Sequence, residues 1–98
     1  MPTFILLTKL SSEGLGNPRK RENIGRKWFA TVKAKCPGVK WIDHYALLGP
    51  FDFMDIYEAP SEEVAAKVSM ITMSRGAVKA ETWAAIPYKK FLRLAKEL

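Results

Sequence analysis

Apolar positions along the 98-residue chain fall into blocks whose spacing alternates between the periods of strands and helices. Thr3 to Lys9 is a compact apolar run closed by Ser11, Ser12, Glu13 and Gly14, the pattern of a buried strand and a loop. Asn17-Pro18 then predicts a helix start. Asparagine is a favoured N-cap, and proline in the first turn gives up a hydrogen bond it could not have made. Ile24, Trp28, Val32 and Cys36 recur at every fourth position, Phe29 widens that stripe, and Pro37-Gly38 ends the helix. Val39 to Leu48 and Phe51 to Ala59 read as two strands joined at Gly49-Pro50, close enough to form an antiparallel hairpin. Ser61, followed by Glu62 and Glu63, caps a second helix with Val64, Val68 and Ile71 as its core stripe, ending at Arg75-Gly76. Ala77 to Ile86 is a fourth strand, and Pro87 opens a short C-terminal helix with Phe91, Leu94 and Leu98 on one side.

Strand, helix, hairpin, helix, strand is the order of a ferredoxin-like α+β domain: βαββαβ, with a four-stranded antiparallel sheet and both main helices on one face. A single domain over 1–98 is expected, its core about 3–87 and a helical segment at 88–98. Function then turns on the uncovered sheet face. Strand parity assigns to that face Trp41, Asp43, Tyr45 and Leu47, then Phe51, Phe53, Asp55 and Tyr57, then Lys79, Glu81 and Trp83. Met54 and Ile56 take the opposite parity and read as helix-facing core. An acid-studded aromatic face of that size needs a cover. A second copy of the chain, sheet against sheet with a cavity between, is the expected one. Single-stranded RNA stacked on the aromatics is disfavoured, because Asp43, Asp55 and Glu81 would repel phosphate.

Composition narrows the picture. With 48% apolar and 27% charged residues the chain is an ordinary globular one. Cys36 is the single cysteine, which excludes an internal disulfide and a cysteine-based metal cluster, and no metal site is expected. Met1-Pro2 leads into Thr3 without a basic region, and uncharged runs are too short to span a bilayer, so a cytoplasmic protein without membrane contact is expected. The net charge of +6 resides in residues 1–40, where Arg19, Arg26 and Lys33 line one side of the first helix. Such a stripe is either a solvated face or an attractor for anions or a nucleic-acid backbone.

Several segments in order resemble the GYD-domain family of the dimeric α/β-barrel superfamily. They are Met1 to Thr8, Tyr45 to Phe53, Glu58 to Pro60 and Lys79 to Ala84, together spanning roughly residues 1–87. The naming motif stands as Gly49-Pro50-Phe51-Asp52, with Phe51 where the family has tyrosine. The resemblance implies a ferredoxin-like fold and a homodimer through sheet faces. It implies little chemistry, since relatives span oxygenases, haem enzymes and ligand-sensing domains.

The residues themselves leave the chemistry open. His44 is the only imidazole and a candidate base or ligand, although Asp43 beside it should point to the opposite face unless an edge-strand bulge intervenes. Asp43, Asp55 and Glu81 either sit as raised-pKa acids in an apolar cavity or pair with Lys79 and a partner's cations. Asp52 is expected to accept backbone N–H groups at the turn. From Val68 to Ser74 the second helix is uncharged, and Ala66, Met70 and Met73 lie opposite its core stripe. That surface could meet the C-terminal segment or another dimer in a higher oligomer. The expected function is binding of a small, partly aromatic or apolar molecule over the open sheet face. The candidate lining is Trp41, Asp43, Tyr45, Phe51, Phe53, Asp55, Tyr57, Glu81 and Trp83, and no cofactor is expected. A cofactor-free oxygenase or isomerase is the alternative, with one of the three acids as base and Tyr45 or Tyr57 as donor. Whether the chain is an enzyme stays open, and a nucleic-acid module using the basic stripe is the least favoured reading.

Overall fold

The computed structural model describes residues 1–12 and 16–98; the loop expected from Ser11 to Asn17 falls in part, at 13–15, outside the described residues. Its elements are β1 (Thr3–Leu10), α1 (Pro18–Lys35), β2 (Lys40–Ala46), β3 (Phe53–Glu58), α2 (Glu62–Ser74), β4 (Ala77–Ala85) and α3 (Tyr88–Lys96). The strands form one antiparallel sheet in the order β2-β3-β1-β4. This is the ferredoxin-like α+β fold, with α1 and α2 against one face. Both helix starts use the caps their sequences supply. The side chain of Asn17 accepts the Lys20 N–H and that of Ser61 accepts the Val64 N–H. Gly76 ends α2 with φ of 104°, a left-handed backbone that only glycine adopts at no cost.

Phe4, Leu6, Val32, Cys36, Tyr57, Ala59, Ala65 and Val68 form the buried core between helices and sheet. The two helices approach that sheet differently. α2 presents Ala65, Val68 and Thr72, small enough to bring its backbone within 8 Å of β4 and β1. α1 presents Trp28, and its Cα atoms stay more than 8 Å from those of every strand. The space is held by aromatic rings: Trp28 lies 5.2 Å from Trp41, Trp41 lies 5.3 Å from Tyr57, and Phe4 stacks on Tyr57 at 5.7 Å. The Trp28 indole N–H donates to Thr72 Oγ1 at 2.9 Å, tying α1 to α2.

The register overturns the parity expected for β3. Phe53, Asp55 and Tyr57 pair with Thr8, Leu6 and Phe4, whose side chains are buried beneath the helices. They therefore face the helices, and Met54 and Ile56 face away. β2 carries the edge-strand bulge. Trp41 is opposite Tyr57 and Asp43 is opposite Ile56, so Ile42 is the extra residue. Trp41 consequently lies on the helix side, Asp43 and Tyr45 lie on the open side, and His44 returns to the helix side opposite Asp55. On β4 the expected parity is kept, with Glu81 and Trp83 opposite Leu7 and Ile5 on the open face.

Asp52 secures the hairpin as a short acid can, though its partner is remote. Its Oδ2 accepts the Leu10 N–H at 2.9 Å, and its own N–H donates to the Thr8 carbonyl. Met70 and Met73 are exposed, and α3 makes no close backbone approach to any other strand or helix. The C-terminal segment of the same chain thus does not cover the methionine face.

Candidate functional site

Holding α1 off the sheet leaves a cavity of about 720 Å³ beneath its first half, within the size range of small-molecule sites. Ile24, Trp28 and Phe29 of α1 form its roof. Trp41, Ile42 and Phe53 form an apolar floor, and Thr72 and Arg75 close the α2 side. Gly25 also lines it, and a Cβ added there would meet nothing within 4 Å. A glycine inside a helix costs about 0.5–1 kcal/mol relative to alanine, and here its lack of a side chain enlarges the space.

The reactive groups of the wall come from the bulge. By resetting the parity of β2, it turns His44 towards β3, where Nδ1 lies 2.5 Å from Asp55 Oδ1. Asp55 is 4% exposed, and burial raises its carboxyl above the ordinary 3.8, with the His44 charge and hydrogen bond opposing the rise. Phe53 stacks beside the imidazole at 5.7 Å and 14°. With Nδ1 committed to Asp55, Nε2 is the nitrogen left for a bound molecule. An imidazole oriented by a carboxylate next to an apolar cavity can take up or deliver one proton at that nitrogen.

Of the nine residues expected to line one cavity, Trp41, Asp43, Phe53 and Asp55 line this one. Tyr57 is fully buried in the core. Its hydroxyl has no partner among the described residues, and burial pushes it up to about 12. Tyr45, Glu81 and Trp83 belong to the open face, and Phe51 precedes β3, beneath the Lys79 Nζ at 5.5 Å. The three acids divide accordingly. Asp43 accepts the Tyr45 hydroxyl at 2.6 Å and the His44 N–H at 2.9 Å, and both bonds hold its carboxyl below the usual value. The same bond to Asp43 pushes the Tyr45 hydroxyl up. Glu81 pairs with Lys79 at 3.4 Å and accepts the Trp83 indole N–H at 3.1 Å. Sequence reasoning named His44 and Asp55 separately and did not join them. The extra residue Ile42 was the one feature that could have done so. Among the described residues no group of acids, histidines or cysteines is arranged to hold a metal ion.

Comparison with known proteins bears on the same chain. The GYD domain pattern is matched over residues 4–95. A glutamine synthetase and cystathionine beta-lyase binding protein of Thermus thermophilus is 34% identical over 91 residues, covering 89% of this chain and 90% of that protein. Two solved structures share the fold at lower identity. MtbAldR has a TM-score of 0.62 at 17% identity, covering 88% of this chain and 52% of its own, so this chain spans about half of that protein's length. At3g17210 from Arabidopsis thaliana has a TM-score of 0.60 at 13% identity, covering 89% of this chain and 95% of its own. Among the described residues no helix is long and apolar enough to cross a membrane.

Asp55 makes stability depend on pH in a defined sense. Its folded pKa lies above its unfolded one, so the cost of burying its charge is carried in full above the folded value. That cost is relieved as pH falls through the folded value and is gone below about 3.8. Asp55→Asn removes the titration and keeps a polar partner for His44. Denaturant titrations from neutral pH to pH 4 should show the wild type gaining stability relative to this variant on acidification.

Proposed function

The chain belongs to the GYD-domain family, and on that footing we propose that it binds a small, partly aromatic or apolar molecule in the cavity between α1 and the sheet. One observation carries the reading: an apolar cavity of about 720 Å³ with the His44–Asp55 pair in its wall. A cavity lined by Trp28, Phe29, Trp41 and Phe53 favours a flat or extended apolar body. His44 Nε2 then meets the polar end of the molecule as donor or acceptor. Such a pair also suits proton transfer within the bound molecule, so an isomerase-like reaction is the chemistry to look for first. Gly25→Leu projects a side chain into the space and should abolish saturable quenching of tryptophan fluorescence by a small aromatic ligand. The fold should remain, as judged by circular dichroism. Unchanged affinity in that variant would move the site elsewhere.

The open sheet face belongs to a second copy in this reading. Ile5, Leu7, Met54, Ile56 and Trp83 share it, and Trp83 is 51% exposed in the single chain. A homodimer through that face leaves the helix-side cavity reachable in each subunit. Ile56→Asp should give a monomer or insoluble protein, and sedimentation of the wild type at micromolar concentration should give the dimer mass. A folded wild-type monomer would refute the dimer.

A second reading rests on the Thermus thermophilus relative, whose name records binding to two metabolic enzymes. By its likeness, this chain would dock on an enzyme of nitrogen or sulfur metabolism, with the cavity ligand as the signal. Size-exclusion chromatography with purified glutamine synthetase tests it: co-elution supports docking, and separate elution at tens of micromolar rejects it for that enzyme.

A further inference from the structure

The charges around the cavity do not balance, and the imbalance has a chemical meaning. The acidic residues that line it already have partners: Glu22 pairs with Arg26 at 3.1 Å, Asp55 with His44, and Asp43, whose carboxylate is turned to the open sheet face, with the Tyr45 hydroxyl and the His44 N–H. Two further guanidinium groups line the same space, Arg21 and Arg75, and neither forms an ion pair among the described residues. They come from different elements but from one end of the cavity. Arg21 is in the first turn of α1, one turn before Ile24, and Arg75 precedes Gly76. Gly76 packs against the Ile24 side chain closely enough that a Cβ there would lie 3.5 Å from it.

We infer that the ligand is an organic acid: a carboxylate held at the Arg21–Arg75 end, with its aromatic or extended apolar body between Trp28, Trp41 and Phe53. This rests on the cavity being the binding site. The guanidinium fork matches a carboxylate bidentately, and a hydrogen bond between two full charges is about twice as strong as a neutral one. The apolar walls lower the competition from water, which strengthens the attraction at the mouth. The body of the ligand then extends along the floor towards His44, so the acid group and the imidazole address different parts of one molecule. A neutral molecule of the same shape would leave both guanidinium groups without a partner.

The test compares 1-naphthoate with its neutral isostere 1-naphthamide, each titrated against the wild type, Gly25→Leu and Arg21→Gln/Arg75→Gln by tryptophan quenching. Tighter binding of the acid by about tenfold or more in the wild type is expected. The double variant should lose the preference for the acid, and 0.5 M salt should narrow the wild-type preference. Equal binding of acid and amide by the wild type, both lost in Gly25→Leu, would overturn the acid assignment and leave the cavity reading intact. Failure of both compounds to bind saturably at millimolar concentration would overturn the cavity reading, and this inference with it. A preference that persists in the double variant would place the recognition of the acid on other groups and refute the role of Arg21 and Arg75.

Discussion

Three aromatic rings in tilted contact set the geometry on which the rest of this molecule depends. Trp28 rests on Trp41 and Trp41 on Tyr57, at centroid distances of 5.2 and 5.3 Å. That column keeps α1 away from the sheet while α2, faced with alanine, valine and threonine, settles directly on it. Side chains this large fill the space beneath the second half of α1, where Val32 and Cys36 complete the core. Beneath the first half they do not, since Ile24 and Gly25 are too small to reach the strands. The larger cavity lies at that end, where the side chains of the helix are smallest.

The bulge at Ile42 decides what chemistry faces that cavity. A regular β2 would put Trp41, Asp43 and Tyr45 on one face and His44 on the other. The extra residue keeps Trp41 in the column and still sends His44 to the helix side. There it meets Asp55, a carboxylate in the middle of the sheet whose burial would be costly without a partner. The edge strand can bend in this way because one of its sides carries no neighbour. β3, paired on both sides, cannot.

Much of this was legible in the residues and some was not. The element order, the caps at Asn17 and Ser61 and the stop at Gly76 follow from local rules, and the fold follows from their order. The sidedness of β3 does not. Both of its parities are apolar, Phe53 and Tyr57 on one and Met54 and Ile56 on the other, because a central strand is covered on one face by helices and bears an apolar surface on the other. Asp55 looked like the mark of an open face, yet its partner His44 lies on another strand, out of reach of any spacing rule. The side taken by Glu81 and Trp83 is legible because β4 alternates small residues with large ones. The cavity itself was invisible, since no periodicity reports how far a helix stands from its sheet.

The three tryptophans report separately on the two faces: Trp28 and Trp41 line the cavity, and Trp83 stands on the open sheet face. Titrating the ¹⁵N-labelled protein with 1-naphthoate while following the three indole N–H resonances therefore separates the cavity from the open face as the ligand's site. Saturable shifts of the Trp28 and Trp41 signals, with Trp83 unmoved, are the expected result. Movement of Trp83 alone would return the ligand to the open sheet face and contradict it.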